Sequence, residues 1–158
     1  MEFYQQVITD EDDIYIYFEV IRALCPASIL DFGMTLKRMG SISRQAMHCE
    51  IPRDTRLDGI DFCAGVNLPI YEQIYDRIYE GHGQQLPERT YDLAIYLCIP
   101  ETLGLRRLEY VSRHAGRILF DAKTASFTDY FVNRYPCQSL QVGERLYGLA
   151  VTDGGKGV

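Results

Sequence analysis

The stretches SILDFG (residues 28–33) and GIDF (residues 59–62) are two short apolar runs, each carrying an aspartate at or near its end. An apolar run of about four to eight residues between turn signals is typical of a buried strand. In open α/β sheets, ligands bind outside the carboxyl ends of the strands. The two runs therefore predict that Asp31 and Asp61 lie at the carboxyl edge of one sheet, where a nucleotide-like cofactor would bind.

Composition limits the class of protein. The chain has 158 residues, 47% of them hydrophobic, which is enough for one compact domain with a sizeable core. A formal net charge of -6 argues against nucleic acid or an anionic membrane as the partner. The N-terminus lacks the features of a signal peptide, and no run approaches the ~18 apolar residues of a membrane span. We expect one soluble, cytoplasmic domain over residues 1–158, with a frayed tail at 153–158.

The five cysteines are scattered along the chain, and none forms a Cys-x-x-Cys pair. Their number and spacing favour buried, reduced thiols over a disulfide framework. His48, Cys49 and Cys63 match no common zinc spacing, so no metal site is predicted.

The rest of the chain alternates between helical and strand periods. A helix is predicted over about 10–25, ending at Pro26, and a short one near 41–48. Residues 69–80 favour a helix, with a short third strand as the alternative. Further strands are expected at 91–99 and 117–120, helices at 100–114 and around 127–131, and a hairpin at 139–152. This order predicts an α/β three-layer sandwich: a mostly parallel sheet with helices on both faces and a C-terminal antiparallel hairpin.

In this order of elements, over about residues 10–152, the chain resembles the class I S-adenosylmethionine-dependent methyltransferases. The resemblance implies that the turn after the first strand wraps the methionine part of the cofactor, and that the acid ending the second strand binds the ribose hydroxyls. The fourth strand, from Tyr91-Asp92 to Pro100-Glu101, also fits the frame of that family. The cofactor-binding residues implied are Asp31, Phe32, Gly33, Met34, Gly40, Asp61, Phe62, Leu97 and Ile99.

No universal catalytic residue is expected, because a sulfonium cofactor supplies the electrophile and the protein mainly positions the reactants. If the acceptor needs a base, the candidates near the predicted edge are Asp121 and Glu101, with His48 and His82 as imidazoles. Asp92 begins its strand, so we expect it at the opposite edge in a structural role. The acceptor itself, a small molecule or a protein, has no visible address in the sequence.

Two other functions stay open. The turn after the first strand reads Asp-Phe-Gly-Met-Thr, and the next glycine is Gly40, whereas a typical member of the family has closely spaced glycines there. The shortage of glycines favours a non-catalytic domain of the same fold that serves as a binding or assembly partner. A nicotinamide or flavin enzyme is the third alternative, but the Gly-x-Gly-x-x-Gly fingerprint is missing. The tyrosines at 71, 75 and 79 fill either a core or the face of a homodimer.

Overall fold

A computed structural model describes residues 11–36, 44, 47, 49–62, 71–81 and 86–152. Gly40, His48, His82, the tail at 153–158 and most of the helix expected near 41–48 lie outside these residues. No helix in the described ranges is long and apolar enough to cross a membrane. The elements are α1 (Glu11–Leu24), β1 (Ser28–Phe32), β2 (Arg56–Asp61), a 3-10 turn (Tyr71–Gln73), β3 (Arg77–Glu80), β4 (Tyr91–Tyr96), α2 (Glu101–Leu105), α3 (Leu108–His114), β5 (Ala115–Asp121), α4 (Ala125–Arg134), β6 (Cys137–Val142) and β7 (Arg145–Val151).

The strands form one seven-stranded sheet in the order β3-β2-β1-β4-β5-β7-β6. The first five strands pair in parallel, and β7 runs antiparallel to both of its neighbours, β5 and β6. The predicted mostly parallel sheet with a closing hairpin is thus confirmed. Three strands start earlier than predicted: β2 at Arg56, β5 at Ala115 and β6 at Cys137.

Two apolar clusters cover the two faces of the sheet. On one face, α1 packs Tyr17 and Ile21 against strand residues such as Ile29 and Leu93. On the other face, α3 and α4 contribute Val111 and Phe131 to a second cluster. Because side chains alternate along a strand, consecutive residues of β1 enter opposite clusters. The molecule is therefore the expected three-layer sandwich.

The prediction of a helix over 69–80 was wrong, and the alternative of a third strand is confirmed for Arg77–Glu80. Ile78 packs on the α1 face and Tyr79 on the opposite face, so the adjacent apolar pair serves the two sides of a strand rather than one stripe of a helix. Asp76 starts the pairing with β2: its N–H donates to Leu57 O (2.7 Å), and its carboxylate accepts the Leu57 N–H (2.8 Å).

The single helix predicted over 100–114 is divided into α2 and α3. The Gly104 carbonyl accepts the Tyr96 hydroxyl and the Arg107 N–H, an i to i+3 bond that tightens the chain between the two helices. A Cβ on Gly104 would lie 2.4 Å from the Phe127 ring, so contact with α4 requires glycine there. The helical period of the sequence was correct, and a tertiary contact breaks the helix.

Candidate cofactor site at the carboxyl edge of the sheet

The candidate site lies where the strand order reverses. β1 pairs with β2 on one side and with β4 on the other, and all three strands are parallel. The connections leaving β1 and β4 therefore diverge at the carboxyl edge, and such a divergence is where open α/β sheets bind ligands. The turn at Gly33 and the segment Leu97–Cys98 lie on the two sides of this point.

The Gly33 turn follows β1 and requires glycine. Gly33 has φ of +86°, and its N–H donates to Ile60 O at 3.0 Å. A Cβ at this position would lie 2.6 Å from Leu97 O and 2.8 Å from Cys98 O. The backbones after β1 and β4 can thus approach closely only because residue 33 has no side chain.

Two non-glycine residues beside Gly33 also have left-handed backbone. Met34 has φ of +51° and Cys98 has φ of +56°. Such conformations cost roughly 1–3 kcal/mol each for ordinary residues, and they persist where the surrounding structure enforces them. Met34 is buried against Gly59 in β2, so its side chain helps to hold the turn in place.

Asp31 is fully buried, and its carboxylate accepts four hydrogen bonds from within the protein. The Thr35 N–H and hydroxyl both donate to Oδ1 at 2.9 Å, and the hydroxyls of Tyr75 (2.7 Å) and Tyr17 (3.1 Å) donate to Oδ2. Burial raises the pKa of the Asp31 carboxyl to about 6, although these hydrogen bonds oppose the rise. Asp31 therefore joins α1, the turn after β1 and the segment before β3.

Asp61 ends β2 and is partly exposed, unlike Asp31. Its backbone carbonyl accepts the Gly81 N–H at 2.7 Å, and it lies opposite Glu80 in the pairing with β3. The next residue, Phe62, is buried and stacks on Phe32 with ring centroids 6.1 Å apart. Asp61 thus presents a partly exposed carboxylate at the sheet edge, next to an apolar floor.

The predicted contact residues after β4 have buried side chains. Leu97 joins the cluster on the α1 face, and Ile99 joins the cluster on the opposite face. The Leu97 group nearest the turn is its backbone carbonyl, which lies against Gly33. The segment after β4 thus lies beside the Gly33 turn, and the side chains of Leu97 and Ile99 both contribute to packing.

Searches by sequence find no matching family model and no matching curated protein. Solved structures do match by fold. An O-methyltransferase from Bacillus cereus, solved in complex with SAH, has a TM-score of 0.60 at 9% identity, covering 90% of this chain and 82% of that one. A provisionally assigned O-methyltransferase from Klebsiella pneumoniae has a TM-score of 0.60 at 13% identity, covering 96% and 90%. A methyltransferase from Geobacter sulfurreducens has a TM-score of 0.52 at 14% identity, covering 92% and 81%.

The chain has the class I methyltransferase-like fold. Identities of this size establish the fold and leave activity to the site itself. The order of strands, with an antiparallel β7 inserted between β5 and β6, agrees with the resemblance drawn from the sequence.

In this methyltransferase-like domain, a charged cluster lies beyond β4 at the same edge. Arg145 donates to Asp13 Oδ1 at 3.2 Å and to Asp121 Oδ2 at 3.1 Å, and the Tyr147 hydroxyl donates to Asp13 Oδ1 at 2.7 Å. The Cys98 thiol lies 3.7 Å from Asp13 Oδ2. Asp121 was a predicted base, and the structure places it near the reversal of strand order.

Sequence reasoning missed Asp13 and Arg145. Asp13 stands in the first turn of α1, where an acid is expected to favour the helix dipole, yet it is buried and paired with Arg145 and Tyr147 of β7. The only sign in the sequence that Asp13 is buried was its position on the apolar side of the predicted helix. Glu101, the other predicted base, accepts the Ser126 hydroxyl at 2.6 Å and is exposed.

The amino edge of the sheet carries structural groups. Asp92 accepts the Ala27 N–H at 2.7 Å, which ties β4 to the chain entering β1. A cavity of about 430 Å³ also lies at this edge, lined in part by Cys25 and Cys49. The expectation of buried cysteines was wrong for these two residues and for Cys137, all three of which are exposed. This cavity lies away from the reversal of strand order, where open α/β sheets bind ligands.

Proposed function

We propose that this domain binds S-adenosylmethionine at the carboxyl edge of β1 and β2 and acts as a methyltransferase on a small-molecule or protein acceptor. The observation that carries the proposal is the Gly33 turn, held in left-handed conformation at the reversal of strand order of a methyltransferase-like sheet. The glycine brings the backbones after β1 and β4 together at the edge where open α/β sheets bind ligands.

The described residues fit part of this cofactor. In the proposal, the backbone of residues 32–34 lies along the methionine part, and the partly exposed Asp61 accepts hydrogen bonds from the ribose hydroxyls. Phe62 forms an apolar floor beside Asp61, and Leu97 borders the turn through its backbone carbonyl. Asp31 supports the site differently from the sequence-based expectation: since its four hydrogen bonds come from the protein, we assign it the role of holding the turn.

When bound, the cofactor supplies an electrophilic methyl group on a sulfonium, so the protein has to orient the acceptor and exclude water. Asp121 is the candidate to receive a proton from the acceptor. Arg145 holds Asp121 in position, and the side chain of Asp121 keeps partial exposure. Arg145 and Asp13 position Asp121 and make no direct contact with the reacting atoms in this scheme.

The alternative function is a non-catalytic domain of the same fold that serves as a binding or assembly partner. The burial of Asp31 favours it, because an acid that the resemblance assigns to the cofactor is occupied by Tyr17 and Tyr75 instead. This alternative predicts that the protein binds no cofactor.

Calorimetric titration with S-adenosylmethionine and S-adenosylhomocysteine tests the proposal. We expect the native protein to bind both, and Asp61→Ala to bind about tenfold to a hundredfold more weakly, because hydrogen bonds to a charged group contribute about 1.5–3 kcal/mol. Asp129→Ala is the matched control, since it removes an exposed carboxylate on α4.

Each outcome of the titration has a separate meaning. If the native protein binds neither ligand, the non-catalytic function replaces the proposal. Equal affinity in the native protein and Asp61→Ala would refute the ribose contact alone. Thermal melts of both variants should match the native protein, which shows that the comparison concerns binding.

A further inference from the structure

β6 is the last strand of the sheet, and no strand in the described part of the chain pairs with its outer edge. Residues 137–142, CQSLQV, include no charged residue and no proline, which proteins commonly use to block an exposed edge. Pro136 directly precedes them, and its carbonyl accepts the Val151 N–H at 2.9 Å, so the proline stands only at the start of the strand. Cys137, Gln138, Ser139 and Gln141 are all exposed. The outer N–H and C=O groups of such a strand are a template for another strand.

Apolar side chains border this edge. The large hydrophobic side chains exposed on the described surface are Tyr15, Leu105, Val132, Leu146 and Val151. Tyr15 lies on α1, which packs on β6, and Leu146 and Val151 lie on β7, which pairs with β6. Val132 lies on α4, which packs on β7. The edge therefore combines unpaired backbone with apolar surface on nearby elements of all three layers.

We propose that β6 pairs antiparallel with β6 of a second copy of this chain, so that one continuous sheet runs through a two-fold dimer. The charges beside the strand favour this arrangement. Arg134 precedes β6 and Glu144 follows it, and both are exposed. Antiparallel pairing brings Glu144 near Arg134 of the partner subunit at both ends, whereas parallel pairing would bring like charges together.

The size of the edge is sufficient for a dimer. A six-residue strand is about 20 Å long, and a sheet with a helix layer on each face is about 30 Å tall. The contact would bury about 600 Å² on each copy, or about 1,200 Å² in total, which is at the lower end of specific interfaces. Because β6 lies at the side of the sheet, this dimer leaves the carboxyl edge open and does not depend on cofactor binding.

The mass of the protein in solution tests the proposal. At about 100 μM, above the micromolar dissociation constants of weaker interfaces, size exclusion with light scattering should give twice the chain mass of 18.2 kDa. Gln138→Lys brings two like charges together across the two-fold axis and should give the single-chain mass. Gln73→Lys is the matched control: it makes the same change at an exposed residue near β3, the opposite edge of the sheet, and should remain dimeric.

Two further measurements identify the interface. The amide protons of residues 137–142 should exchange more slowly in the native dimer than in Gln138→Lys. Arg134→Glu should weaken the dimer by about threefold to tenfold, and adding Glu144→Arg should restore it, since the exchange of charges re-forms both pairs. This restoration cannot arise from a variant that merely unfolds.

A single-chain mass for the native protein at that concentration would overturn the proposal. It would also be overturned if amide exchange at residues 137–142 slowed only when a different protein was added. A dimer that Gln138→Lys leaves intact, with unchanged exchange at residues 137–142, would also overturn it, because the copies would then meet through another surface.

Discussion

Replacing Asp31 by asparagine should change how the stability of the protein depends on pH. Burial raises the pKa of this carboxyl from 3.8 to about 6 in the folded protein. A shift of about two pH units corresponds to about 3 kcal/mol. The buried carboxyl therefore makes the free energy of unfolding depend on pH. Asparagine does not titrate, so Asp31→Asn removes this dependence.

The sign follows from proton binding. Between pH 3.8 and about 6 the folded protein holds the proton on Asp31, while the unfolded chain has released it. The contribution of Asp31 to stability is therefore fully present below the unfolded value, and it is lost as pH rises through about 6. Relative to Asp31→Asn, the native protein should lose about 2.5 kcal/mol of its free energy of unfolding between about pH 4 and about pH 8, since a small part of the contribution is already lost at pH 4.

Urea unfolding of both proteins across this pH range measures the effect. Subtracting the two curves removes the titration of the other carboxylates, which the proteins share. Asp129→Asn makes the same change at an exposed residue on α4 and is the matched control for the substitution. A native-minus-Asp31→Asn difference that stays constant within about 0.5 kcal/mol would refute the reasoning, since it would mean that Asp31 titrates normally in the fold.

Two further variants test the packing of the site. Gly33→Ala should lower the free energy of unfolding by more than about 2 kcal/mol, because it combines a left-handed backbone with a Cβ 2.6 Å from Leu97 O. Gly143→Ala, with φ of +59° and open surroundings, should cost only about 1–2 kcal/mol. Equal losses in urea unfolding would contradict the crowding at Gly33. Arg145→Met should lower the free energy of unfolding by about 3–5 kcal/mol, because it leaves Asp13 buried without its cation. Adding Asp13→Asn should recover part of that loss. A double variant no more stable than Arg145→Met would argue against the pairing of Arg145 with Asp13.

Much of the fold was readable from local patterns. The apolar runs at β1 and β4 are long and buried enough to predict strands, and the turn at Gly143 predicts the hairpin. Residues 69–80 show the limit of such patterns: adjacent apolar pairs suit one stripe of a helix or two faces of a strand. The bonds between Asp76 and Leu57 select the strand, and they join residues far apart in sequence.

The candidate site was predictable in position and less so in detail. The Gly33 turn and Asp61 are where an α/β sheet requires them, at the ends of strands. The partners of Asp31 were not predictable, since Tyr17 lies on α1 and Tyr75 lies before β3. Nor could the sequence indicate that Arg145 meets Asp13, because the two residues lie in the hairpin and in the first helix.

The sequence by itself determined the class of the fold and the positions of most strands, because these depend on periodicity within a few residues. The need for glycine at residue 33 comes from the tertiary contact with Leu97 and Cys98. Only the tertiary structure decided the role of each carboxylate. Alternation along β1 directs Asp31 to the face that α1 covers, and the helix surrounds it with hydroxyl donors. Asp61 ends its strand and remains partly exposed. Whether an acid faces solvent or the core depends on which distant element packs over it.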